Sequence, residues 1–66
     1  MGYRVKEIRE RKNMTQEELE KLSGVSRQTI SAIENNDEYQ AKVGKLLALA
    51  KALDTSVDNL FFQHAV

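Results

Sequence analysis

The 66-residue chain has no cysteine, no proline and no tryptophan, a single histidine, and no excess of either charge: ten basic residues stand against ten acidic ones. Each shortage removes a class of protein. Without cysteine there is neither a disulfide nor a thiolate-held zinc, the usual staples of very small domains. The longest unbroken apolar stretch, Leu46–Ala50, is far too short to span a bilayer. The basic first dozen residues lead into more charge, so no secretory signal is expected. Lys6 stands where a myristoylation signal needs Ser or Thr. The expectation is one domain over residues 1–66, cytoplasmic and with no membrane partner. A chain this short buries only about 60% of its unfolded surface, so its core must be efficient.

Side chains for catalysis are also scarce. His64 is the one histidine, and Asp37-Glu38 lacks the spaced oxygen ligands and the glycine of a calcium loop. Gly44-Lys45 has the look of a phosphate loop, but Tyr39 stands where its first glycine belongs and Leu46 where Ser or Thr should follow. A ligand pocket of about 300 Å³ would hollow out so small a core. No enzyme, no cofactor and no metal are expected.

What the chain does have is helical periodicity. Val5 and Ile8, set among Arg4, Lys6, Glu7, Arg9, Glu10, Arg11 and Lys12, predict an amphipathic helix at about residues 3–12. Thr15-Gln16-Glu17-Glu18 has the form of a capping box and opens a second helix at about 15–22, with Leu19 and Leu22 on its buried edge. Ser23-Gly24 ends it, Gly24 being free to take positive φ. Ser26 caps a third helix reaching about Asn35, with Ile30 and Ile33 inward, and residues 35–38 read as a loop.

A fourth helix at about 41–53 rests on Val43, Leu46, Leu47, Ala50 and Leu53. Gly44 inside it costs about 1 kcal/mol against alanine, which a close helix crossing would account for. Ser56 or Thr55 caps a last short helix containing Val57, Leu60 and Phe61. No strand is predicted, residues 62–66 being left unassigned. The fold class is therefore all-α, a compact five-helix bundle with short connections.

Thr15–Asn35 carries the chemistry. Leu19, Leu22, Val25, Ile30 and Ile33 form an apolar wedge that sets two short helices at a steep angle. With Ile30 and Ile33 inward, steps of about 100° per residue turn Arg27, Gln28 and Ser31 outward, with Ala32 and Asn35 more oblique. That face is polar, short-chained and almost free of acid. Arginine matches guanine O6/N7, glutamine matches adenine N6/N7, serine suits most bases, and an alanine methyl lies against that of thymine. Such a helix enters the major groove with its N-terminal residues foremost.

Gln16-Glu17-Glu18-Leu19, with Ser23-Gly24-Val25-Ser26-Arg27-Gln28-Thr29-Ile30-Ser31-Ala32-Ile33-Glu34-Asn35, resembles the helix-turn-helix of the Cro/phage-repressor (xenobiotic-response-element) family. Arg4–Asn13 is similar to that family's basic first helix, and Leu46–Leu60 to its fourth and fifth. The resemblance implies a lambda-repressor-like DNA-binding domain whose helices 2 and 3, at about 15–35, form the reading unit. It implies base contacts from Arg27, Gln28, Ser31 and Ala32, and phosphate contacts from Thr15, Gln16 and Asn35. It also implies a structural ion pair between Arg9 and Glu34. Lys42 and Lys45 either reach the phosphate backbone or only keep the surface soluble; Lys42 is counted with the phosphate contacts.

Three features depart from the family pattern. Glu20 stands where a small residue is preferred, and is expected to snorkel outward or to open the helix pair slightly. Asn36-Asp37-Glu38-Tyr39-Gln40 lacks the frequent proline and sets two acids beside the expected phosphate path. Gly44 is the third.

The end of the sequence is apolar, and Leu60, Phe61, Phe62 and Val66 are expected to form a dimer edge within a tail at 57–66. A twofold dimer would read a palindromic operator with half-sites about 34 Å apart. The functional expectation is a transcriptional repressor. A second reading is an antitoxin-like module that binds a toxin and autoregulates, and a third is a helical domain without DNA binding. The charges that cancel overall alternate along the chain. Bases outnumber acids by three in residues 1–12 and in 41–53, and acids exceed bases by two in 13–22, 36–40 and 54–66. Neutrality thus argues against tight non-specific DNA binding rather than against DNA.

Overall fold

Side-chain hydrogen bonds mark where two of the helices begin, at Thr15 and at Ser26. In a computed structural model, residues 3–36 and 38–60 are described. They form α1 (Val5–Arg11), α2 (Gln16–Ser23), α3 (Arg27–Asn35), α4 (Val43–Ala52) and α5 (Val57–Leu60). Thr15 starts α2 with a full capping box: its hydroxyl accepts from the Glu18 amide at 3.0 Å, and the Glu18 carboxylate accepts from the Thr15 amide at 2.8 Å. Gly24 closes α2 at φ 77, a conformation that costs glycine nothing. Ser26 then starts α3 by accepting from the Thr29 amide at 3.2 Å. Asn13 and Asp54, both at φ 55, turn the chain after α1 and α4. These are two of the few non-glycine side chains that tolerate that region.

The core consists of Val5, Leu19, Val25, Ile30, Ile33, Leu46, Leu49, Ala50, Leu53 and Leu60. Through it α2 packs against both α3 and α4, α4 against α5, and α1 against α3. The Arg4 amide donates to the Leu60 carbonyl, so the start of the bundle is tied to its last helix. No helix among the described residues is long and apolar enough to cross a membrane.

Four expectations about packing are corrected. Leu22, expected in the wedge, is 63% exposed. The covered stripe of α2 runs through Gln16, Leu19, Glu20 and Ser23, which leaves Leu22 on the outer side of the last turn. Val43 and Leu47 are 67% and 55% exposed, and Leu49, which was not singled out, is wholly buried. The inward stripe of α4 is Leu46-Leu49-Ala50-Leu53, with Val43 and Leu47 roughly a quarter-turn away.

Gly44 does not mark a close crossing, since a Cβ built there meets nothing within 4 Å. Leu60, expected at a dimer edge, has no exposed surface because it fills the core beneath α5. Phe61, Phe62 and Val66, the other residues of that edge, lie outside the described residues, as do Asp37 and His64.

Candidate nucleic-acid interface

With Ile30 and Ile33 locked in the core, the opposite side of α3 has to face out. Arg27, Gln28 and Asn35 are exposed, and Ser31 and Ala32 are half-buried. The Asn35 side-chain amide donates to the Ser31 hydroxyl at 3.1 Å. From its N-terminal end the helix therefore presents a guanidinium, an amide, a hydroxyl, a methyl and a second amide. No acid occurs in its first turn.

Beneath this face, hydrogen bonds link three helices. Arg9 of α1 holds Glu34 of α3 through both arms of its fork: Nε donates to Oε2 at 2.8 Å and Nη2 to Oε1 at 3.0 Å. Its Nη1 donates to the Met14 carbonyl at 2.7 Å. Gln16, the first residue of α2, donates from Nε2 to Glu34 Oε1 at 2.9 Å. The Gln16 amide oxygen in turn accepts from Arg27 Nε at 3.5 Å. Arg9, Glu34, Gln16 and Arg27 thus form one chain of contacts. The side chains of Arg9 and Glu34 are only 10% and 1% exposed. Such a pair is largely withdrawn from water and cannot be broken cheaply. The Glu34 hydrogen bond pushes the Arg9 guanidinium pKa still higher than usual, against the opposing effect of burial. Glu34 is consumed inside the fold, so its charge is neutralised rather than presented to solvent.

The other predicted site residues sit as follows. Thr15 is engaged in its capping box, which holds the Glu18 carboxyl below the usual carboxylate range, chiefly through the Thr15 backbone amide. The amides of Gln16 and Glu17 have no partner among the described residues, as helix geometry requires of a first turn. Such donors are suited to an anion. Lys42 is exposed at the start of α4, and no hydrogen bond links it to the Arg9–Arg27 chain.

Glu20 behaves otherwise than expected. It does not swing out into water: it is half-buried, and its Oε2 accepts from the Arg27 backbone amide at 2.9 Å. The sequence reading missed this bond and the one from Gln16 to Glu34. The acid-free first turn of α3 leaves its positive end open to an acid from another helix. Among the described residues, no cluster of three or more His, Cys, Asp or Glu is arranged to hold a metal ion.

Residues 5–60 match the model of a helix-turn-helix family. The chain is 36% identical over 61 residues to an uncharacterised HTH-type transcriptional regulator of Archaeoglobus fulgidus, a match covering 92% of this chain and 84% of that one. It is 37% identical over 62 residues to the uncharacterised HTH-type transcriptional regulator YgzD of Bacillus subtilis, covering 94% and 92%.

Proposed function

Since the chain belongs to the Cro/C1-type helix-turn-helix family of transcriptional regulators, we propose that it binds a specific operator in DNA through the major groove and represses transcription there. The observation that carries this reading is the outer face of α3, where Arg27 and Gln28 stand exposed at the leading end of a helix whose own first turn contains no acid. In the complex, Arg27 takes a guanine edge, Gln28 an adenine edge, and Ser31 and Ala32 the bases that follow. The phosphates flanking them are held by Thr15, the α2 amides and side chain of Gln16, Asn35 and Lys42. No step of this role is enzymatic.

The operator is palindromic, because the protein acts as a homodimer with its two recognition helices about 34 Å apart. With Leu60 buried, the apolar dimer contact falls to Phe61, Phe62 and Val66. Selection of bound duplexes from a random pool, repeated over a salt titration, tests the whole proposal. Enrichment of a palindrome with a shallow salt dependence is the expected result. Failure to enrich any sequence at low salt would sink it.

A further inference from the structure

We propose that Glu20 is a specificity-determining positioning residue: from α2, its carboxylate holds the first amide of α3 and so sets where Arg27 meets a base. The inference rests on the DNA-reading role given above. Ser26 satisfies the third amide of α3, at Thr29, but its side chain leaves the first amide to water. Glu20 takes that amide at 2.9 Å. A bond to a carboxylate is shorter and stronger than one to a neutral acceptor. It also supplies the negative charge that the first turn of α3 lacks.

Arg27 is therefore gripped twice from α2. Glu20 holds its backbone, and Gln16 touches its guanidinium. Glu20 and Gln16 are four residues apart and so lie on one face of α2. Base readout by a forked side chain requires its backbone to be placed within about 0.5 Å. The two contacts together provide that placement before DNA arrives. Because the carboxylate repels phosphate, Glu20 orients the reader without adding to general DNA affinity.

The test uses the full chain as wild type, Glu20→Ala, Glu20→Gln, Arg27→Ala and the Glu20→Ala/Arg27→Ala double variant, with two readouts. Without DNA, hydrogen exchange at the Arg27 amide should speed up about tenfold in Glu20→Ala, the protection one charge-assisted bond gives. In Glu20→Gln, whose amide oxygen can still accept, exchange should return most of the way to the wild-type rate. With DNA selected by the wild type, affinities are measured for the site and for each single-base substitution. Glu20→Ala should lose about five- to tenfold of discrimination at one base pair, the pair that Arg27→Ala also relaxes. Glu20→Gln should restore it while raising affinity for all sequences alike, and Glu20→Ala should add nothing in the Arg27→Ala background. Unchanged exchange, or a uniform loss of affinity at every base pair, overturns the inference while leaving the DNA-reading role intact. If the wild type selects no sequence, that role fails and the inference falls with it.

Discussion

The α2–α3 pair and α4 are held in place by different physics. In the α2–α3 pair, side chains fix the helix starts and the junction by directional bonds: Thr15 with Glu18, Ser26 with Thr29, and Glu20 with the Arg27 amide. Helix α4 has no side-chain cap at Lys42 and contributes through Leu46, Leu49, Ala50 and Leu53 in the core. Burial is non-directional and tolerates a small slide or rotation. Hydrogen bonds do not. A surface that must match base edges is built from the second kind of contact and backed by the first.

Two substitutions set the halves against each other at full strength. Glu34→Ala strands Arg9 in the interior and should cost about 3–5 kcal/mol; Leu49→Ala should cost about 2–5 kcal/mol through the cavity it leaves. Single cores of this size rarely supply more than about 3–5 kcal/mol, so both variants should be largely unfolded in urea titrations. A Glu34→Ala protein as stable as wild type would show that the network is ornamental. Next in size is Arg27→Ala, which should weaken specific DNA binding by about 1–3 kcal/mol and relax one base position. Because Arg27 is exposed, its melting temperature should barely move; a large drop would make Arg27 a structural residue.

Thr15→Ala should destabilise the fold by about 1 kcal/mol through loss of the cap, as read by thermal melting. The same cap has a pH signature. The Glu18 carboxyl is depressed on folding, first by the Thr15 backbone amide and then by its side chain. Its stabilising contribution is therefore complete at neutral pH and above the ordinary glutamate range, and is lost as the pH falls below that range through the folded value. The gap between wild type and Glu18→Ala should close over that fall; a gap constant with pH would contradict the carboxylate's part.

The smallest effect is the sharpest contrast, because one substitution should have opposite signs in the two regions. Gly44→Ala should stabilise α4 by about 0.5–1 kcal/mol, since the added methyl meets nothing and the backbone is helical. Gly24→Ala should destabilise by a similar or larger amount, about 1 kcal/mol, because its φ is positive. Urea midpoints that moved the same way in both variants would break the comparison.

Legibility in the sequence follows the same division. The capping box at Thr15, the positive-φ glycine at Gly24 and the Ser26 cap involve residues at most four apart, so their spelling is their structure. The outward placement of Gln28 followed from Ile30 and Ile33 by helical geometry, whereas Arg27, on the flank, is exposed at the first residue of α3. In α4, by contrast, apolar residues occur on most sides, and the choice between Leu47 and Leu49 depends on where α2 lies. Leu22 failed for a related reason: apolar spacing from Leu19 was right, but the face of α2 that meets α3 and α4 runs through Gln16 and Glu20 instead.

Local sequence thus determined the five helices, the two ends of α2, the start of α3 and the side chains offered on α3, because these depend on bonds and angles within a few residues. The resemblance carried by those motifs also pointed to the Arg9–Glu34 pair. Tertiary structure alone decided which leucines of α2 and α4 are covered, that Leu60 belongs to the core, and that Glu20 turns to the Arg27 amide. Those outcomes depend on which element packs against which. A quarter-turn of α4 would bring Val43 and Leu47 inward in place of Leu46 and Leu49, and nothing in the sequence of that helix forbids the turn.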